Sequence, residues 1–325
     1  MKDLCFSQEN LLNREYLFKM DSKVIFILGA PRSGTTFLAS ILEYTIYGVP
    51  FETHFITKYY KRLKKYGDLN KYKNYKRLVT DILRERPVMQ WGLNFNIDAN
   101  YQKLAPNIHY KDIVNQICSL AVTQKGGKYW GDKTPHYLKD LEIIYKLYPE
   151  AKYIFIVRDG RDVAVSLLKK PWGPNNIYSC AKYWNSIHDN EGLLMQLKNN
   201  NQLYMLRYED LLDDVAMHTL NIYQFLEEVI TSDSIDCITN MVIRKNYKKW
   251  KHELTLSQIK LFEQIAGNRL TSYGYKITHV QSDVSIWKKI FYSSQNIIYL
   301  YKHLFIINVI DGLKIRYFGK EPFAE

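Results

Sequence analysis

The chain has 325 residues, 46% of them hydrophobic, enough to bury the core of one large domain. Lys and Arg number 45 against 33 Asp and Glu, a formal net charge of +12 that favours anionic partners such as nucleotides, acidic glycans or lipid headgroups. Nucleic acid is not expected, because helix-turn-helix, zinc-finger and RRM signatures are missing and the basic residues fall in separate patches.

Residues 1–20 mix Lys2, Asp3, Glu9, Arg14 and Glu15 with apolar positions and lack the continuous apolar core of a signal peptide, so a cytoplasmic location is expected. Residues 24–28 are short, continuously hydrophobic and rich in β-branched side chains, the pattern of a strand buried on both faces. The run leads into Gly29, Ala30, Pro31, Arg32, Ser33, Gly34, Thr35 and Thr36, a turn that opens a helix. Residues 128–130 read as a short strand before Gly131, and residues 137–148 carry Leu138, Leu141, Ile144, Tyr145 and Tyr148 at helical spacing before Pro149. A second buried strand over residues 153–157 runs into Arg158, and residues 163–168 continue as a helix. Helical periodicity covers residues 178–197, a weaker strand covers 203–206, and another helix spans 256–270 behind Thr255 or Ser257 as its cap.

Gly274 and Tyr275 end the compact region, and residues 284–308 form an amphipathic segment. Its most apolar part, residues 297–310, is interrupted by Lys302 and His303 and is too short to span a bilayer. Cys5, Cys118, Cys180 and Cys237 lie far apart and read as free thiols. Strands alternating with helices predict an α/β fold. It is a three-layer, P-loop-like domain over residues 1–275, with a mostly parallel sheet of four or five strands and a C-terminal helical appendage over 276–325.

The turn after the first strand has the glycine spacing of a Walker A loop. The lysine that a nucleoside triphosphatase needs after the second glycine is replaced by Thr35, and the loop's cation is Arg32. Loop N–H groups, the hydroxyls of Ser33, Thr35 and Thr36 and the Arg32 guanidinium suit a less charged group than a γ-phosphoryl, held without a metal. Arg158 emerges at the carboxyl edge of the sheet, where α/β proteins bind ligands, with Asp159 and Asp162 placed to cap the helix that follows.

Pro31, Arg32, Ser33, Gly34, Thr35 and Thr36 match the P-[KR]-S-G-T-T loop of the sulfotransferase superfamily, and the sequence resembles that superfamily from about residue 23 to 275. Arginine at the second position is more typical of tyrosylprotein, bacterial and glycan-directed members. The resemblance implies 3′-phosphoadenosine 5′-phosphosulfate (PAPS) as donor, its phosphosulfate held by Arg32, Ser33, Gly34, Thr35 and Thr36. It also implies that Arg158 and Ser166 hold the 3′-phosphate and that Tyr208, in the Tyr208, Glu209, Asp210, Leu211 element, lies near the adenine. Residues 246–251 occupy the place of a basic loop that closes over the nucleotide, but lack its Arg-Lys-Gly ending.

Glu52 and Thr53 match the E-T dipeptide whose glutamate is the base in tyrosylprotein and glycan sulfotransferases, which makes Glu52 the candidate base. Small-molecule enzymes use histidine, for which His54 and His109 are the alternatives. Gly131, Asp132, Lys133, Thr134 and Pro135 resemble the G-[ED]-K-T-P element, with Lys133 and Arg32 as catalytic cations; the same element also reads as an ordinary turn.

The resemblance implies an acceptor hydroxyl, with a glycan, a protein tyrosine, a lipid and a small metabolite all open as its bearer. The basic stretch from Lys58 to Arg77, with Lys61, Arg62, Lys64, Lys65, Lys71, Lys73 and Lys76, reads either as a solvated face or as a site for an anionic acceptor. The appendage suits a membrane surface or a partner helix. Competing readings are an ATP-dependent P-loop kinase and a non-catalytic protein that holds a nucleotide or a membrane surface.

Overall fold

The computed structural model describes residues 23–242, 247–278 and 283–305, with the side chains of His303 and Leu304 left out. The readings for residues 1–20, Cys5, Asn246 and the tail beyond Phe305 lie outside the described residues. In chain order the main elements begin with β1 (Ile25–Leu28), α1 (Thr35–Ile41), α2 (Phe55–Tyr60), α3 (Tyr72–Leu83), α4 (Tyr110–Thr123) and β2 (Gly131–Asp132). They continue with α5 (Leu141–Leu147), β3 (Lys152–Val157), α6 (Gly160–Leu168), α7 (Ile177–Ile187), α8 (Glu191–Asn199), β4 (Leu203–Arg207) and α9 (Tyr208–Asp213). The last are α10 (Val215–Leu226), α11 (Leu256–Ser272) and α12 (Ile286–Phe305).

The sheet has four strands in the order β2-β1-β3-β4, all parallel. Its registers set Leu28 beside Phe155 and Val157 beside Arg207. From β1 the chain returns to one side of the sheet, to β2, and from β3 to the other, to β4. The carboxyl ends of β1 and β3 therefore flank a topological switch point, where open α/β sheets bind ligands. Helices α1, α8 and α9 pack against this sheet.

The described residues group into two compact units, one of residues 23–157 and 190–242 and one of residues 158–189, 247–278 and 283–305. In the first, Phe26 of β1 meets Trp130, Tyr148 and Tyr153 at ring separations of 5.6 to 5.8 Å, all of them buried. Burying such a ring stabilises the fold by about 2–3 kcal/mol. In the second, α7 packs on α6 and α11. Gly160 makes this contact feasible, because a Cβ there would sit 2.6 Å from the Trp184 ring and 2.7 Å from Phe262.

Several local expectations are corrected. The strand expected over residues 128–130 falls instead at Gly131–Asp132, since there the backbone pairs with Ile25 and Phe26. The helix expected over residues 137–148 is a 3-10 turn, Pro135–Leu138, followed by α5, with Asp140 at the break. The periodicity over 178–197 belongs to two helices, α7 and α8. His188 ends the first, its ring bonded to the Trp184 carbonyl at 2.6 Å, and the Asn190 amide turns away to donate to the Leu138 carbonyl at 2.6 Å. Thr255, and not Ser257, caps α11, in a reciprocal arrangement with Gln258. Cys118, Cys180 and Cys237 are free thiols, and among the described residues no helix is long and apolar enough to cross a membrane.

Candidate active site

The loop from β1 into α1 is shaped by two glycines. A Cβ on Gly29 would lie 2.7 Å from the Ile156 carbonyl oxygen, so only glycine lets the loop pass so close to β3. Gly34 has φ +93°, and a Cβ there would lie 2.3 Å from the Tyr208 ring. Arg32 holds a left-handed φ of 72° without being glycine, a strain of about 1–3 kcal/mol that tends to mark functional loops. Its side chain is exposed, as is that of Thr36, whereas Ser33 and Thr35 are buried. The Ser33 hydroxyl is buried without a hydrogen-bond partner among the described residues. A buried orphan hydroxyl is costly, and an anion oxygen in the loop would satisfy it.

The second cluster lies beside β2. Phe51 forms a parallel bridge with Asp132, and the Lys133 N–H donates to the Phe51 carbonyl at 2.9 Å. This pairing sets Glu52 next to Lys133, and the ammonium donates to Glu52 Oε1. His54 adopts φ 52°, another left-handed non-glycine, and its Nε2 lies 2.7 Å from Glu52 Oε2. The hydrogen bond from His54, followed by that from Lys133, holds the Glu52 carboxyl down at about 2 against the opposing effect of partial burial. The contacts win, since each stabilises the charged form while the side chain stays 38% exposed.

Beneath this pair lies Asp132, fully buried. Its Oδ2 accepts from the Thr53 N–H at 3.0 Å and the Thr134 hydroxyl at 2.9 Å, and its Oδ1 accepts from the Thr134 N–H at 2.7 Å. Tyr137 adds to the frame through its hydroxyl, which lies 2.7 Å from Thr53 Oγ1 and accepts from the Ile56 N–H at 2.9 Å. Burial pushes the Asp132 carboxyl up to about 6, against the hydrogen bonds from Thr134 and Thr53 that lower it. Sequence reasoning left Asp132 and Tyr137 without a role. The only signal was the acidic position in the Gly131 to Pro135 element.

Arg158 directly follows β3 and is 7% exposed. Asp159 caps α6, accepting from the Arg161 N–H at 2.9 Å. Asp162, expected to share that task, instead accepts from the Lys248 N–H at 2.6 Å and the Trp250 N–H at 2.9 Å. Its side chain points at another segment, because one carboxylate already satisfies the helix start. The basic residues 247–251 are thereby tied to the helix that begins after Arg158. Arg161 is buried between Asp159 and Glu263 and stacks on Trp250 at 3.8 Å. Ser166 lies in the second turn of α6 and is half-buried. His109 stands at the start of α4, where the Asp112 carboxylate accepts from its N–H at 2.9 Å.

The sequence model described as "Sulfotransferase family" matches residues 24–232, from β1 through α10. The chain belongs to this family. Protein-tyrosine sulfotransferase 1 of Mus musculus and that of Homo sapiens are each 24% identical over 181 residues, covering 53% of this chain and 42% of theirs. The chain thus spans about two fifths of the length of these curated relatives. Among solved structures, the sulfotransferase domain of the Synechococcus PCC 7002 olefin synthase aligns with TM-score 0.48 and 22% identity, over 78% of this chain and 95% of that one. Family membership sets aside the kinase reading, which the missing loop lysine already disfavoured.

Of the basic stretch, Lys58 pairs with Glu85 at 2.5 Å and Lys61 with Asp140 at 2.6 Å. Lys64, Lys65, Lys71, Lys73 and Lys76 are exposed.

Proposed function

We propose that the protein transfers a sulfuryl group from PAPS to an acceptor hydroxyl, with Glu52 as the base. The observation that carries this reading is the pairing of Glu52 with Lys133 across the Phe51–Asp132 bridge, a carboxylate and a cation locked side by side. In this reading the acceptor oxygen forms a bond to sulfur, the bond from sulfur to the 5′-phosphate oxygen breaks, and Glu52 takes the hydroxyl proton. Arg32 and Lys133 stabilise charge on the sulfuryl oxygens and the departing phosphate.

Lys133 serves two partners in turn. Drawn to the donor, it releases one of the contacts that depress Glu52, so the carboxylate becomes a better base once the donor is in place. The loop fits the donor through the orphaned Ser33 hydroxyl, the Thr35 and Thr36 hydroxyls and the glycine at position 34. Arg158 and Ser166 are assigned to the 3′-phosphate, and Tyr208, packed on Gly34, is assigned to the nucleotide. The exposed lysines of α3 and the segment before it support an anionic acceptor.

Calorimetry with adenosine 3′,5′-bisphosphate in the presence of a chelator, followed by radiolabelled PAPS with fractionated cell extract, tests the proposal. Metal-independent binding and label transfer are expected, and Arg158→Ala is expected to weaken the bisphosphate by about 2–4 kcal/mol while sparing an analogue without the 3′-phosphate. Tight Mg²⁺-dependent ATP binding without bisphosphate binding overturns the donor assignment. Bisphosphate binding with no label transfer to any fraction favours a non-catalytic holding protein.

A further inference from the structure

Helix α12 is docked the wrong way round for a soluble protein. An amphipathic helix normally buries its apolar face, yet α12 attaches to α7 and the segment before it through polar contacts. The Asn176 amide donates to the Tyr292 carbonyl at 3.0 Å and to Gln295 Oε1 at 3.2 Å, and the Asn175 N–H donates to Asn296 Oδ1 at 3.0 Å. Tyr292 stacks on Tyr178 at 5.8 Å. At 3.6 residues per turn, Tyr292, Gln295 and Asn296 share one side of the helix. Trp287, Ile290, Phe291, Ile297, Ile298 and Tyr301 fall on the opposite side, within an arc of about 120°, and each is between 52% and 77% exposed.

The charge pattern says what this stripe fits. Residues 286–305 contain Lys288, Lys289 and Lys302 and no Asp or Glu. At the same spacing Lys302 lies just beyond one edge of the stripe, while Lys288 and Lys289 fall toward the docked side, and all three are exposed. An apolar stripe on a helix that carries three lysines and no acid matches the boundary of an anionic bilayer, where hydrocarbon takes the stripe, the Lys302 ammonium at its edge meets headgroup phosphates and the other two lysines add to the attraction. A helix so placed lies in the interface and does not cross, consistent with its length and composition. We propose that the exposed face of α12 is a docking surface for anionic membrane lipid, holding the enzyme flat against a bilayer.

The test is co-sedimentation of the full chain with vesicles of phosphatidylcholine alone and of phosphatidylcholine mixed with phosphatidylglycerol. Binding to the mixed vesicles, reversed by high salt, is expected. The Ile290→Asp/Ile298→Asp double variant is expected to lose at least about tenfold in partitioning, with an unchanged circular dichroism spectrum because both side chains are exposed. Should that variant misfold, Lys302→Glu carries the test: it keeps the stripe and must weaken the preference for anionic vesicles. Failure to bind either vesicle overturns the proposal, as does equal binding to both. A dimer seen by analytical ultracentrifugation and abolished by Ile290→Asp/Ile298→Asp, without vesicle binding, assigns the face to a second copy. Vesicle binding that arises only after residues 306–325 are removed assigns it to the chain's own tail.

Discussion

Glu52 is the residue on which the proposed chemistry turns, and its surroundings make two kinds of prediction. Glu52→Gln keeps the shape and removes the basicity, so turnover is expected to fall about 10² to 10⁴-fold in a single-turnover assay, with donor affinity within roughly threefold. His54→Asn is expected to do much less; the opposite ranking makes His54 the base. Asp132 acts at one remove, holding Thr53 and Thr134, the neighbours of Glu52 and Lys133. In Asp132→Asn an amide NH₂ must face a backbone N–H, leaving a buried donor unsatisfied at a cost of about 1–3 kcal/mol. Misplacing the pair is expected to lower kcat by roughly tenfold to a hundredfold, with bisphosphate affinity unchanged. The pH dependence has a definite sign. Asp132 keeps its proton up to about pH 6 in the folded protein and loses it near 3.8 when unfolded, so its contribution to stability declines as pH rises through that window. Denaturation from pH 4 to 7 is expected to show this decline in wild type relative to Asp132→Asn. Glu52 has the reverse sign, contributing above its unfolded value and losing that contribution as pH falls toward about 2.

Among the elements, the loop between β1 and α1 carries local backbone strain. Arg32 holds φ 72° at an exposed position, where glycine would be unstrained. Arg32→Gly and Arg32→Ala both remove the cation and are both expected to weaken donor binding. They separate in stability, with the glycine variant about 1 kcal/mol more stable by chemical denaturation because alanine meets the same left-handed backbone. Equal stabilities would mean that the strain is not local to residue 32. The same loop was legible in advance because glycines, hydroxyls and a buried strand lie next to one another in the chain. The break between α7 and α8 was not legible. Apolar spacing continues across residues 178–197, and the interruption comes from His188 folding back on Trp184 and Asn190 reaching a carbonyl 52 positions away.

For the whole molecule, we propose that the compact sulfotransferase region ends at residue 275, which truncation tests. Removing residues 280–325 is expected to leave bisphosphate binding within about threefold, because the loop, Arg158 and Ser166 all precede the cut. The thermal midpoint is expected to fall by a few degrees, since Asn176 loses Tyr292 and Gln295 as acceptors. Loss of bisphosphate binding would place the tail within the core. The sequence by itself determined the parallel α/β class, the family, the glycine-shaped turn after β1 and the identity of Glu52, Lys133 and Arg158 as candidates. Each of these is written in contiguous residues: a buried strand must be apolar throughout, and an anion loop must place its glycines at fixed spacing. Only the tertiary structure decided that Lys133 grips Glu52 across 81 positions of chain, that Asp132 lies buried beneath them, and that α12 turns its apolar face outward. Those outcomes depend on which distant segments come together, and on charge and burial that no local pattern of residues encodes.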